Sequence, residues 1–293
     1  MNRVPRSLAP VAAHQSRHHS RCEKDPFTVP LGGKIDLLLA ANEALRGPKT
    51  VCHAASHMDF HQRHKYFVSS EGASIEQRLT ESGAGLEVIA QAGSEVQTRS
   101  FPNSHHGALA QAGYEYVESL NLIQGAQAAR DEAIALLSAK PPRSGTTTIV
   151  LHPTQVVMQL HESCGHPAEL DRALGHELSY AGGSFLTPDQ LGQKKYGSPQ
   201  VTIVADATIP GGVGSMAFDD EGVPAQRVEL IQKGLFINYL SSRETAAHIG
   251  RDSGGAMRAE SWNAPPLIRM TNVNPEPGEG TLDELIHDIS RGY

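Results

Sequence analysis

His161, Glu162 and His166 are the residues in this chain whose types and spacing could do hydrolytic chemistry. Two imidazoles bind a borderline metal such as zinc, and an adjacent carboxylate can take a proton from a metal-activated water. The spacing sets a condition. In the familiar His-Glu-x-x-His pattern the histidines are four apart, which leaves them about 40° from one another around a helix. Here they are five apart, which on an ideal α-helix is about 140°. Both can face one ion only if the helix takes in an extra residue, as a π-bulge does. Gly165 and Pro167 mark a helix end, where the backbone can bend. Two ordinary polar histidines at a helix terminus fit the same pattern, and that reading stays open on spacing alone. Glu169 and Asp171 follow closely and could orient the imidazoles through hydrogen bonds; as a plain alternative they are solvated loop charges. Cys164 lies between the histidines, where a small buried residue is expected rather than a ligand.

Positioning such a site requires a helix ahead of it and strands behind it. A helical stretch starting at Pro153 runs into His161, after a strand at 146–151. Further strands are expected at 200–205 and 227–232, and Lys233-Gly234 makes a hairpin turn into 235–240. Thr281 and Glu284 are placed as a capping box for a helix over 282–291, with Gly292 as its stop. Upstream, residues 35–46 repeat Leu and Ala at helical spacing and stop at Gly47-Pro48. Short alternating runs at 65–69, 75–79, 86–90 and 96–101 predict an antiparallel meander, with turns at 70–72 and 82–85. A helix is expected over 126–139, then a linker at 141–145.

Composition narrows the function classes. The chain has 293 residues, net charge −7, 28 Gly, 18 Pro and 5% aromatics, a mix that suits short strands and turns. That charge argues against a general nucleic-acid binder, which needs concentrated Lys and Arg. Three cysteines, Cys22, Cys52 and Cys164, form no disulfide framework and suit a reducing cytoplasm. No run approaches the roughly 20 apolar residues of a membrane span. The basic start, residues 1–33, reads as a disordered leader. His53, His57 and His61 are spaced by four, but they lie in strand-like sequence that would not gather them. Asp219-Asp220-Glu221-Gly222 lacks the alternation of a calcium loop and reads as a turn.

The run His161-Glu162-Ser163-Cys164-Gly165-His166-Pro167-Ala168-Glu169-Leu170-Asp171 resembles the core signature of the TldD/PmbA family of metallopeptidases. Ser198-Pro199-Gln200-Val201-Thr202-Ile203-Val204 is similar to the strand that follows the site in that family. Gly214-Ser215, then Phe218 through Arg227, and Arg269-Met270-Thr271-Asn272 with Pro277-Gly278, resemble further blocks; Ser69-Ser70-Glu71-Gly72 fits upstream. The resemblance covers roughly residues 34–293. It implies an α/β (α+β) protein: a mixed sheet with helices over 34–145, then a β-rich metallopeptidase domain over 146–293. It also implies zinc held by His161 and His166, Glu162 as general base, and a peptide substrate. In the family a distant downstream cysteine is the third ligand; no cysteine follows Cys164, so the chain reads as a fragment, incomplete at its C-terminus. Family members pair two related subunits. An intact Glu162 places this chain on the catalytic side, with a paired subunit or a homodimer expected, and a non-catalytic partner or scaffold as the alternative.

Overall fold

The computed structural model describes residues 7–142, 144–287 and 289. In chain order its first elements are β1 (Gln15–His19), α1 (Leu31–Leu45), β2 (Val51–Val68), β3 (Ser74–Ala92), β4 (Glu95–Phe101) and β5 (Ala108–Ala110). Then come α2 (Tyr114–Ser119), α3 (Leu122–Leu136), α4 (Pro153–Leu160), α5 (Leu170–Ala173), β6 (Ile203–Asp206), β7 (Arg227–Gln232) and β8 (Leu235–Phe236). The last are α6 (Arg243–His248), β9 (Met257–Arg258), β10 (Leu267–Ile268), β11 (Asn272–Pro275) and α7 (Leu282–His287). Mixed sheets and helices make this an α/β fold, as expected. Among the described residues no helix is long and apolar enough to cross a membrane.

Two compact units divide the chain. One takes the chain up to His19 together with residues 63–79 and 156–279; the other takes 20–62, 80–155 and the chain from Gly280. In the first unit β1 lies parallel to the opening residues of β3, with Gln15 opposite Ser74 and His19 opposite Arg78. Its main sheet has the order β11-β6-β7-β8, antiparallel throughout. The β7–β8 hairpin has the expected two-residue turn: Gln232 pairs with Leu235, and Lys233 and Gly234 both adopt positive φ (48° and 80°). Leu230, Ile231, Phe236, Tyr239, Leu240 and Leu170 fill the core beside this sheet. In the second unit α1 and α3 pack on β3 through Leu45, Leu86, Val88, Leu122 and Ala126.

Distant stretches of the first unit are joined by polar groups. The Gln77 amide oxygen accepts from Ala217 N and Phe218 N, and its nitrogen donates to Phe218 O. Arg243, at the start of α6, sends both terminal nitrogens to the Glu71 carboxylate at 2.6 and 2.8 Å and its Nε to Ala9 O. Asp219 caps the backbone N–H groups of Glu221, Val223 and Met257, so the acidic run is a turn built around its own carboxylate.

Several expected elements are redrawn. The meander at 65–101 consists of two long strands and a third, with a turn at 70–72 but none at 82–85. Gly83 and Gly85 are interior to β3 because another backbone crosses there: a Cβ would lie 2.5 Å from Ala108 O at Gly83 and 1.9 Å from His106 O at Gly85. Glycine in a strand marks close approach as well as a turn. The strand expected at 146–151 is irregular chain, with Ile149, Val150 and Leu151 exposed. The 126–139 helix starts earlier, at Leu122, and α2 precedes it. Within the segment read as a leader, β1 is ordered by its ladder to β3 and Ala9 is buried. The capping box before α7 is present, with Thr281 N donating to Glu284 Oε2 and Glu284 N to Thr281 Oγ1. Gly292 lies outside the described residues.

Candidate metal centre

Pro153 opens α4 at the position where a missing N–H costs nothing. At His161 the helix widens. Residues His161–Gly165 form a π-helical turn, closed by the His166 N–H donating to the His161 carbonyl five residues back. A single 3₁₀ turn, His166–Ala168, follows, and the extended backbone of Glu169 ends the run. The extra residue in the turn brings the two imidazoles together: their ring centroids are 4.5 Å apart and the planes perpendicular. Coordinating atoms of His161, Glu162 and His166 all lie within 4.8 Å of one another. Among the described residues this is the cluster of His, Cys, Asp and Glu groups suited to a metal. Tetrahedral zinc holds neighbouring ligand atoms about 3.3 Å apart, so modest rotamer changes would let the two imidazoles close on one ion with the Glu162 carboxylate beside it. Two imidazoles and a carboxylate also suit zinc chemically. His161 and Glu162 are exposed and His166 is partly buried, so the cluster opens to solvent.

Below the cluster lies a buried charged group. Glu169 is 1% exposed, and its Oε2 sits 2.8 Å from His166 Nδ1 and 2.6 Å from Arg172 Nε. A carboxylate facing Nδ1 favours a proton there, which would leave Nε2 with its lone pair, the form a metal requires, whereas a guanidinium N–H, which can only donate, favours a bare Nδ1. Arg172 also places Nη2 2.9 Å from His166 Nδ1 and donates through Nη1 to Ala181 O. The second Glu169 oxygen is buried without a hydrogen-bond partner. Backbone bonds fix Glu169 in place: Leu170 N donates to Leu240 O, and Leu240 N to Ala168 O. Asp171 is also buried; desolvation by burial, aided by the charges of Glu169 and Glu177, pushes its carboxyl up to about 6.

Packing settles the other residues near the motif. Cys164 is buried and turns its thiol to the Tyr196 hydroxyl, away from a ligand role; that hydroxyl donates to Ser163 O. Gly165 lies against Met270, whose Sδ would be 1.9 Å from an added Cβ. His176, exposed, does not join the cluster. His53, His57 and His61 share one exposed face of β2, spread by about 13 Å per four residues of strand. Arg172 was legible as a helical i,i+3 partner of Glu169, but no sequence signal pointed to Tyr196 or Met270.

Residues 144–293 match the PmbA/TldA metallopeptidase C-terminal domain, and residues 24–137 match the PmbA/TldA metallopeptidase central domain. A metalloprotease of Methanothermobacter thermautotrophicus is 33% identical over 272 residues, covering 93% of this chain and 56% of that protein. A zinc metalloprotease TldD homolog of Saccharolobus solfataricus is 28% identical over 236 residues, 78% of this chain and 48% of the relative. The chain therefore spans about half the length of the curated relatives it matches. A crystal structure of a Thermotoga maritima protein, proposed to modulate a DNA gyrase, superposes with a TM-score of 0.73 at 21% identity. It covers 99% of this chain and 61% of its own, a likeness of fold.

Proposed function

Because the chain belongs to the PmbA/TldA metallopeptidase family, we propose that it contributes the zinc site of a peptidase, with His161 and His166 as ligands and Glu162 as general base. The observation that supports this most is the π-wound turn, which gathers both imidazoles and the adjacent carboxylate into one 4.8 Å cluster. Zinc, when bound, supplies Lewis acidity that draws electron density from a scissile carbonyl and from an attacking water. Glu162 takes the proton of that water onto a carboxylate oxygen as the new C–O bond forms. It then returns the proton to the amide nitrogen as the C–N bond breaks, so the peptide leaves as an acid and an amine. The exposure of Glu162 lets an extended peptide reach it. With its proton on Nδ1, His166 donates to Glu169 and turns Nε2 to the ion. The cytoplasmic setting and the paired or homodimeric assembly expected from the family belong to the same proposal.

The test is Glu162→Gln in the full chain, with zinc stoichiometry measured beside cleavage of an unstructured peptide. Retained zinc with lost cleavage supports the base role. Lost zinc moves Glu162 into the ligand set, as the third donor of a His₂Glu site. Undiminished cleavage by the variant would sink the mechanism.

A further inference from the structure

The π turn needs something to hold it open, since a hydrogen-bonded α-helix is the default for this chain direction and handedness. Ser163 is the weak point. Its carbonyl would normally take the N–H four residues on, but that residue is Pro167, which has none. We infer that Tyr196 is a positioning residue for the metal site, its hydroxyl supplying the donor that Pro167 lacks and so fixing the turn on which His161 and His166 converge.

The geometry forms a short relay. The Cys164 thiol lies 3.8 Å from the Tyr196 hydroxyl, which in turn donates to Ser163 O. Tyr196 is itself anchored. Its backbone N–H donates to Gly234 O at 2.7 Å, as does that of Gly197 at 3.2 Å, and its ring stacks on Phe185 with centroids 6.2 Å apart. Gly234 is the turn residue of the β7–β8 hairpin, pressed so close that a Cβ would stand 2.5 Å from the carbonyls of Gly197 and Ser198. The hairpin thus sets the height of Tyr196, and Tyr196 sets the Ser163 carbonyl. Met270 fills the space that Gly165 leaves open. Burial drives the Tyr196 phenol far above its usual range, so the donor proton is present at any working pH.

This role rests on the metal reading above, and the experiment separates the two. Tyr196→Phe removes the hydroxyl and keeps the ring. Tyr239→Phe is the comparison: Tyr239 also donates to a backbone carbonyl, Leu186 O at 2.6 Å, within the same core but away from the motif. Three properties are read on the metal-free full chain and both variants: Co²⁺ affinity, the Co²⁺ absorption spectrum, and amide exchange over 160–168. For Tyr196→Phe the expectation is at least tenfold weaker Co²⁺ binding, an altered spectrum, and at least tenfold faster exchange at His166. Tyr239→Phe should lower thermal stability comparably and leave all three unchanged. Equal behaviour of the two variants, or Tyr196→Phe within twofold of wild type, would overturn the role. If wild type takes up no Co²⁺, His161 and His166 do not form a metal site in this chain, while the exchange data still decide whether Tyr196 holds the turn. Should Tyr196→Phe not fold, the wild-type exchange decides: a His166 amide exchanging like open chain refutes a locked turn.

Discussion

Replacing Glu169 by alanine should separate a metal-orienting carboxylate from a purely structural one. Glu169 is 1% exposed and its partner Arg172 is 12% exposed, so the variant leaves a guanidinium largely buried with Ala181 O and His166 Nδ1 as its remaining partners. Breaking a buried pair on one side costs about 3–5 kcal/mol. The partners that remain put this case near the low end, about 3 kcal/mol. The His166 ring loses the acceptor at Nδ1 as well, for which about a 10–100-fold loss of zinc affinity is expected. The unpartnered second oxygen of Glu169 indicates that the native pair is itself incompletely compensated. Replacing both members, Glu169→Leu with Arg172→Met, should therefore recover most of the stability. It should not recover zinc affinity, because nothing then orients His166. Urea unfolding of the metal-free chains gives the first quantity, and zinc competition against a chelator gives the second. If the double variant regains both, or the alanine variant binds zinc within twofold of wild type, the carboxylate has no orienting role.

Asp171 should make the fold more stable in mild acid than at neutral pH. Its folded carboxyl titrates near 6, above the ordinary unfolded value, so its favourable contribution is complete below about pH 4 and is lost as pH rises through 6. Asp171→Asn should accordingly flatten the stability profile between pH 4 and 6 and raise the melting temperature at pH 7.5 by roughly 2–4 °C; a lower melting temperature at pH 7.5 contradicts this. Gly165→Ala forces Met270 to move and should cost about 1–3 kcal/mol in urea melts. Met270→Ala in the same chain should restore part of that, and no restoration would place the strain elsewhere. Gly85→Ala meets a backbone carbonyl, which cannot move aside as a side chain can. It should cost more than Gly165→Ala in the same measurement, and a smaller loss would mean the 106–108 crossing is loose.

The site was more legible than its supports. A five-residue gap between histidines is incompatible with an ideal α-turn, so convergence required the distortion that is found at His161–Gly165. Glu169 was visible as a neighbouring acid, though its burial and its charge partner were not. The Lys233-Gly234 hairpin and the Thr281–Glu284 box were readable because both are local chemistry, with donor and acceptor a few residues apart. What sequence could not show was long-range. Tyr196 and Met270 reach the motif from 30 to over 100 positions away, and no spacing encodes that. Gly83 and Gly85 look like turn residues until a second backbone is seen against them. Residues 146–151 have strand-forming types yet stay irregular, since propensity alone supplies no ladder partner.

A π turn also resets the phase of everything on its N-terminal side. Each residue of α-helix advances the chain by about 100°. Deleting Ser163 would restore the four-residue histidine spacing in sequence, yet it would turn α4 by about that angle relative to His166. Leu160, at the end of α4, packs against the core of the first unit and would be swung away from it. Length within this motif is therefore not a free variable. The residue that brings the imidazoles together also decides which side of the preceding helix meets the protein, so shortening to the commoner pattern should disturb core and site together.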